Sequence, residues 1–173
     1  LLDDDDIKMN FITNHDENSW NGTIKERLGD AHKTMAVLYY TIPGMPLIYT
    51  GQEIGLDKRL EFFKKDPIQW TDSPLEDFYA KLNTLKEENE ALWAPDFGGS
   101  FEILETNHPD KAFVFKRQKG DNVVTVLLNL TGNPIDIKAD INGNYSNYFS
   151  GEEINADGTF VMPSWGYQVL VKE

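Results

Sequence analysis

The sequence predicts an α+β protein in two parts, with parallel strands and helices over residues 1–97 and an antiparallel β-sandwich over residues 98–173. Apolar residues recur at helical intervals up to about residue 93, and from residue 101 they alternate with polar ones. The glycine-containing stretch 97–100, FGGS, separates the two patterns and is typical of a linker. With 173 residues, 40% of them hydrophobic, the chain can bury a core of ordinary size.

The first part is predicted to run strand, helix, strand. Residues 8–13, KMNFIT, fit a mostly buried strand. Residues 29–44 place apolar side chains at helical spacing and stop at Pro43-Gly44, which indicates a helix with a clear end. Residues 46–50, PLIYT, form a short continuous apolar run, as expected of a parallel strand covered on both faces.

A third helix is predicted over residues 73–93. Ser73 offers an N-cap, Pro74 suits the first turn, and Glu76 occupies the capping-box position. Trp93-Ala94-Pro95 should end this helix.

Seven short runs of alternating character fill the second part of the chain. Turn residues such as Lys119-Gly120-Asp121, Gly132-Asn133-Pro134 and Asp157-Gly158 separate them, so an antiparallel sandwich is predicted. The runs are FEILE, KAFVFKR, NVVTVLLNL, PIDIK, YSNYF, TFVM and YQVLVK.

The charge of the chain argues against two classes of partner. A formal net charge of -13 repels nucleic-acid backbones and anionic membranes. No apolar run is long enough to span a bilayer, and no nucleic acid or membrane partner is expected.

The absence of cysteine excludes disulfides, thiolate metal sites and cysteine nucleophiles. Secretion, a periplasmic location and cell-surface display all stay open, because a signal peptide could be encoded upstream of Leu1.

A polar cluster follows the first predicted strand. His15, Asp16 and Glu17 are consecutive, and Trp20 lies close behind them. In one interpretation, Asp16 and Glu17 cap the next segment and His15 satisfies a buried neighbour. In the other, these are catalytic groups, which collect at the carboxyl ends of parallel strands. The residues alone leave both interpretations open.

Two motifs in series favour the catalytic interpretation. FITNHDEN, followed after one helix by PGMPLIYTGQE, resembles the end of the catalytic barrel in the α-amylase family of glycoside hydrolases. In that family, His-Asp follows the seventh strand of a (β/α)₈ barrel, and a Gly-x-Pro-x-Ile-Tyr-x-Gly-x-Glu run supplies the eighth. The resemblance implies the last two barrel strands with their helices over residues 1–97 and the family's C-terminal sandwich over residues 98–173. The residues that match the second motif are Gly44, Pro46, Ile48, Tyr49, Gly51 and Glu53.

The resemblance also implies roles for the polar cluster. Asp16 would stabilise the transition state of a retaining reaction on starch-like α-glucans, and His15 would donate a hydrogen bond to the same sugar. Glu17, Asn18 and Trp20 would line the neighbouring subsites. For Trp20, simple packing in a loop is an equally open alternative.

Two of the three catalytic carboxylates expected in this family are missing from the sequence. The nucleophile and the acid/base belong to motifs of the type G-x-R-x-D and E-x-W, and neither motif occurs here. We therefore expect the 173-residue chain alone to be inactive. No cofactor or metal site is predicted in it, although calcium is possible in a full-length enzyme.

Three further expectations concern partners and rival functions. Exposed barrel strands could pair two copies of the chain into a homo-oligomer. A non-catalytic carbohydrate-binding or interaction module is the chief alternative function, and a degenerate, inactive family member is the second. Linkage preference, and hydrolysis against transglycosylation, depend on loops that this sequence does not contain.

Overall fold

The structure is a computed structural model that describes residues 6–94 and 96–172, so Pro95, predicted near the end of the third helix, lies outside it. The helices are α1 (Ile24–Leu28), α2 (His32–Thr41) and α3 (Pro74–Glu88). Shorter turns of helix cover Glu17–Asn21, Gly29–Ala31, Gln52–Ile54 and Glu90–Leu92. The strands are β1 (Met9–Asn10), β2 (Met45–Pro46), β3 (Ser100–Ile103), β4 (Ala112–Lys119), β5 (Asn122–Asn129), β6 (Ile135–Asn147), β7 (Glu153–Met162) and β8 (Tyr167–Lys172).

The first two strands pair in parallel, as predicted. Met9 aligns with Met45, and the Asn10 carbonyl accepts a hydrogen bond of 2.9 Å from the Leu47 N–H. Each strand has only two residues, so the predicted extents of 8–13 and 46–50 are too long. Met9, Phe11 and Met45 are exposed, because no further strand of the described chain extends this parallel sheet.

A capping box that was not predicted starts the helical region. The Thr23 hydroxyl accepts from the Glu26 N–H at 3.2 Å, and the Glu26 carboxylate accepts from the Thr23 N–H at 2.7 Å. The helix predicted over residues 29–44 is present, but it begins at His32 after a 3₁₀ turn and ends at Thr41. Ile42 ends it by adopting an extended backbone just before Pro43.

The third predicted helix is confirmed with two corrections. Ser73 is the N-cap, but its hydroxyl accepts from the Leu75 N–H at 3.2 Å. Glu76 instead donates its N–H to the Ser73 carbonyl at 3.1 Å, so this bond replaces the predicted capping box. The helix ends at Glu88 because Asn89 leaves the helical region and donates its side-chain amide to the Leu85 carbonyl. A separate 3₁₀ turn continues to Leu92.

The second part is antiparallel and rich in β-structure, as predicted. Its strands hydrogen-bond in the order β3-β4-β5-β8-β6-β7. Six strands are present in the described residues instead of the predicted seven, because the runs at 134–138 and 145–149 both contribute to β6. A bulge between Lys138 and Asn142 interrupts the pairing of β6 with β7 and lets this long strand bend.

Two apolar clusters lie on opposite faces of β4, β5 and β8. One face packs against β6 and β7, which gives the layering of a sandwich within one continuous sheet. The other face packs against α2 and α3, so the segments before and after residue 98 share a core. Division into domains at residues 97/98 therefore stays a prediction. The sheet residues on the helix side include Phe115, Val124, Val126, Leu128 and Val169.

A buried arginine joins the two segments. Arg117 of β4 is 1% exposed and donates to the carbonyls of Thr41, Trp93, Gly99 and Ser100 at 3.1–3.4 Å. Burial lowers the pKa of its guanidinium to about 10. Arg117 thus holds the end of α2, the turn after α3 and the start of β3 in one arrangement.

A second cation lies at the same junction. Lys86 of α3 donates to the carbonyls of Leu92, at 2.7 Å, and Tyr40, at 3.4 Å. Burial, reinforced by the charge of Arg117, lowers the pKa of its ammonium group to about 8. The carbonyls of Tyr40 and Thr41 belong to the last turn of α2, where the helix dipole favours positive charge.

Candidate active site

His15 and Asp16 follow β1 and open a short helical turn. Both side chains face solvent, with 63% and 60% of their surface exposed, and His15 Nε2 lies 3.5 Å from Asp16 Oδ2. The structure therefore brings the predicted pair together and leaves it accessible. Their chemical roles stay predictions.

The turn that carries the remaining predicted residues is wider than an α-helix. Gly22 donates its N–H to the Glu17 carbonyl at 3.0 Å, five residues back, which defines a π-helical turn over Glu17–Asn21. This turn buries Asn18 and leaves Trp20 61% exposed. Such turns are frequent at functional sites.

Glu17 is held by partners within the protein. Its carboxylate lies 3.1 Å from Arg27 Nη2 and accepts from the Asn21 side-chain amide at 3.1 Å. Arg27 also donates to the Ile12 carbonyl at 3.1 Å, which ties the turn to the segment after β1. Direct contact between Glu17 and sugar stays a prediction.

The amide of Asn18 organises a neighbouring loop. Its Nδ2 donates to the Lys58 carbonyl at 3.1 Å, and its Oδ1 accepts from the Leu60 N–H at 2.8 Å. Ser19 adds a hydrogen bond of 2.7 Å from its hydroxyl to the Leu60 carbonyl. Sugar binding by Asn18 stays a prediction, while these bonds give the residue a positioning role.

Ion pairs fix the same loop, residues 57–66, at further points. Arg59 donates to both carboxylate oxygens of Glu26, at 2.8 and 3.2 Å. Asp57 accepts from the Thr23 hydroxyl at 2.7 Å and pairs with Lys25 at 3.0 Å. Hydrogen bonds from Arg59 and Thr23 hold the pKa of the Glu26 carboxyl below its usual value.

Two aromatic residues that sequence reasoning missed lie on this loop. The Phe62 ring is 5.5 Å from the His15 ring and 5.6 Å from the Trp20 ring, measured between centroids. Phe63 is 85% exposed, and its ring lies 4.8 Å from that of Phe62. The signal available in the sequence was the pair of phenylalanines among charged residues in a stretch without periodicity. The candidate site is therefore an exposed acid-imidazole pair beside a cluster of aromatic rings.

Gln52, in the 3₁₀ turn after β2, is buried and links three elements. Its Nε2 donates to the Tyr79 hydroxyl at 2.7 Å and to the Tyr39 hydroxyl at 3.0 Å. Its Oε1 accepts from the Tyr49 N–H at 3.2 Å. These bonds fix the turn after β2 to α2 and α3, and burial raises the pKa of both tyrosine hydroxyls.

The same network makes the stability of the protein depend on pH. His32 Nε2 lies 2.7 Å from the Tyr79 hydroxyl. This hydroxyl oxygen accepts from Gln52, and its own proton can be donated to His32 Nε2. Burial, with a smaller effect from Lys33, lowers the pKa of His32 to about 4. Between about pH 6.5 and pH 4 the unfolded chain binds a proton that the folded chain does not, so the free energy of unfolding falls as the pH falls.

We expect a loss of about 1 kcal/mol between pH 7 and pH 5, since His32 is half-buried and water screens part of the penalty. Urea unfolding at the two pH values measures it. His32→Gln should remove most of the loss, and His108→Gln, which leaves the network in place, should keep it. An unchanged pH dependence in His32→Gln would contradict the assignment.

Comparison with known proteins links this geometry to one group of enzymes. No family model matches the chain. The chain is 25% identical over 160 residues to Alpha-amylase 2 of Dictyoglomus thermophilum and 26% identical over 153 residues to Alpha-amylase MalA of Haloarcula japonica, and these matches cover 83% and 87% of it. The solved α-amylase structure from H. orenii matches 96% of the chain at 25% identity with a TM-score of 0.70. Over most of its length the chain is similar to α-amylase family enzymes, which is consistent with the C-terminal portion of such a protein.

The similarity to α-amylases is strongest in the fold. The maltogenic α-amylase AmyB of Thermotoga neapolitana matches 95% of the chain with a TM-score of 0.79, although the sequences are only 18% identical. The chain spans 26% and 22% of the length of the two curated α-amylases and about two fifths of the solved structures.

The described residues contain neither a clustered metal-ligand set nor a membrane-spanning helix. Across residues 6–94 and 96–172, no group of three or more His, Asp or Glu side chains could hold a metal ion. No helix in these ranges has the length and apolar character needed to cross a membrane. Calcium binding by a full-length α-amylase family enzyme stays a prediction.

Proposed function

We propose that this chain is part of a retaining α-amylase-type glycoside hydrolase that cleaves α-glucosidic bonds in starch-like glucans. Asp16 would stabilise the transition state, and His15 would donate a hydrogen bond to the same sugar. The observation that carries the proposal is the exposed His15-Asp16 pair in the segment that follows the parallel strand β1, in a chain similar to α-amylases.

The chemistry of glycoside cleavage explains why this pair is suited to the task. As the bond breaks, the sugar ring flattens and positive charge builds up on it. A carboxylate that accepts from a sugar hydroxyl, and tightens its hold as this happens, stabilises the transition state more than the bound substrate. Asp16 has the exposure this needs, and its carboxylate lies 3.5 Å from Nε2 of the similarly exposed His15.

The parallel pair β1–β2 would then form the last two strands of a (β/α)₈ barrel. Such a barrel takes about 250 residues, and strands added beside β1 would cover the exposed Met9, Phe11 and Met45. Pairing of two copies through the same exposed face is the alternative way to cover it, and it stays a prediction.

Retaining hydrolysis also needs a nucleophile and an acid/base whose carboxyl groups lie about 5–5.5 Å apart. We propose that these come from another segment of a longer polypeptide, as the greater length of the relatives suggests.

The purified 173-residue chain should therefore bind glucan without cleaving it. We expect no release of reducing ends from soluble starch, while maltoheptaose should shift the indole NMR signal of Trp20, assigned with a Trp20→Phe variant. Asp16→Asn should weaken this binding, and Asp30→Asn, an exposed aspartate of the Gly29–Ala31 turn, should not. Robust turnover by the chain alone, or no response to maltoheptaose, would contradict the proposal.

A further inference from the structure

We propose that Phe62 and Phe63 form an aromatic platform for glucose units beyond the His15-Asp16 site, and that the platform makes the site prefer long α-glucans over maltose. The inference rests on the proposed function and deepens it. The residues that carry it lie outside both sequence motifs, on the loop of residues 57–66.

The platform is continuous with the candidate site. Centroid distances of 5.5 Å from His15 to Phe62 and 4.8 Å from Phe62 to Phe63 form an unbroken path of rings, and Trp20 flanks Phe62 at 5.6 Å. A sugar bound at His15 therefore has aromatic surface next to it. A glucan chain that leaves the site in this direction would pass over Phe62 and then over the exposed Phe63.

The loop is held in place, which matters because binding to a mobile loop would cost ordering entropy. The nitrogen and the oxygen of the Asn18 side-chain amide both bind the loop backbone, and Arg59 forms a two-point ion pair with Glu26. Lys58 and Asp66 close the loop on itself with a further ion pair. Exposed phenylalanines on an anchored loop are unusual as mere packing residues, since Phe63 contributes almost no buried surface.

The surroundings of the rings favour a polyhydroxylated ligand. The rings border an open depression of about 340 Å³ whose other walls include Ser19, Arg59, Glu61 and Lys64. Lys64 and Glu61 pair at 2.6 Å, so opposite charges lie beside the aromatic faces. A sugar has apolar C–H faces that can stack on the rings and hydroxyls that can hydrogen-bond to the charged rim.

The test compares ligands of two lengths on the intact 173-residue chain. We expect maltoheptaose to bind more tightly than maltose, with affinities from titration of the Trp20 indole NMR signal. Phe63→Ala should weaken maltoheptaose binding about fivefold to tenfold and leave maltose binding unchanged. Phe63→Trp should restore the affinity, while Phe63→Leu, which keeps the hydrophobicity but loses the ring, should not. Phe97→Ala, at another exposed phenylalanine outside the loop, is the matched control.

The outcomes separate this inference from the proposed function. Equal maltoheptaose affinity in the wild-type chain and in Phe63→Ala would overturn the platform, while the Asp16-dependent binding would survive. Full rescue by Phe63→Leu would overturn ring stacking as its basis. If neither maltose nor maltoheptaose bound to the wild-type chain, both the platform and the proposed function would be overturned.

Discussion

Asp16→Asn is expected to lower kcat about 10²- to 10³-fold in a polypeptide that joins this chain to the two missing carboxylates. This loss corresponds to about 3–4 kcal/mol of transition-state stabilisation. Asparagine keeps the shape of the side chain but loses the negative charge that the flattening sugar ring requires. Because the Asp16 side chain is 60% exposed and pairs with the equally solvent-facing His15, the substitution should leave the fold intact. Steady-state kinetics on maltoheptaose and circular dichroism spectra measure the two effects.

The same substitution separates the proposed enzyme from a carbohydrate-binding module. An enzyme would lose turnover with a smaller change in KM, whereas a module would show no turnover in either variant. Asp30→Asn, at another exposed aspartate, should retain wild-type kinetics. Wild-type kcat in Asp16→Asn would show that Asp16 does not stabilise the transition state.

Arg117→Ala is expected to destabilise the protein by about 3–4 kcal/mol. The substitution removes hydrogen bonds to four carbonyls, among them the Thr41 carbonyl at the end of α2, and it leaves a cavity at a site only 1% exposed. Lys86 remains at the same junction, but it donates to the carbonyls of Leu92 and Tyr40 and so does not replace the hydrogen bonds of Arg117. Urea unfolding at pH 7 measures the change.

Lys116→Ala is the matched control, because this neighbouring residue of β4 makes a partly exposed ion pair with Glu102. Loss of this ion pair should lower the free energy of unfolding by less than about 1 kcal/mol. The free energy of unfolding of Arg117→Lys should lie between those of Arg117→Ala and Lys116→Ala, since a single ammonium group cannot reach all the carbonyls that the guanidinium group reaches. If Arg117→Ala were no less stable than Lys116→Ala, the joining role of Arg117 would be wrong.

The sequence predicted those structural features that depend on residues close together in the chain. The end of α2 before Pro43, the N-cap at Ser73 and the alternation in β4 and β5 all follow from residues close to one another in the chain. The lengths of β1 and β2 did not follow, because a strand extends only as far as a partner pairs with it. The merger of two predicted runs into β6 was missed because a bulge resembles a turn in the sequence.

The residues of the candidate site also fall into those that local sequence predicted and those that depend on contacts distant in the chain. His15 and Asp16 were found because they belong to a motif and follow a strand. The positioning role of Asn18 and the aromatic pair on the loop depend on contacts across about 40 residues of chain, which a single sequence does not display. Glu26 shows the local counterpart, since its capping box was readable from Thr23-x-x-Glu26 but its bond to Arg59 was not.

The π-helical turn at Glu17–Asn21 has a consequence for how this site could have arisen. A π turn is an α-helical turn with one extra residue, so the smallest genetic step that separates the two is gain or loss of a single codon. Loss of a codon here would swing the indole of Trp20 around the helix axis and away from Phe62, leaving His15 and Asp16 in place upstream. Length variation in these five residues would thus change which aromatic rings lie beside Asp16 and, under the proposed function, which sugars bind there, without changing Asp16 itself.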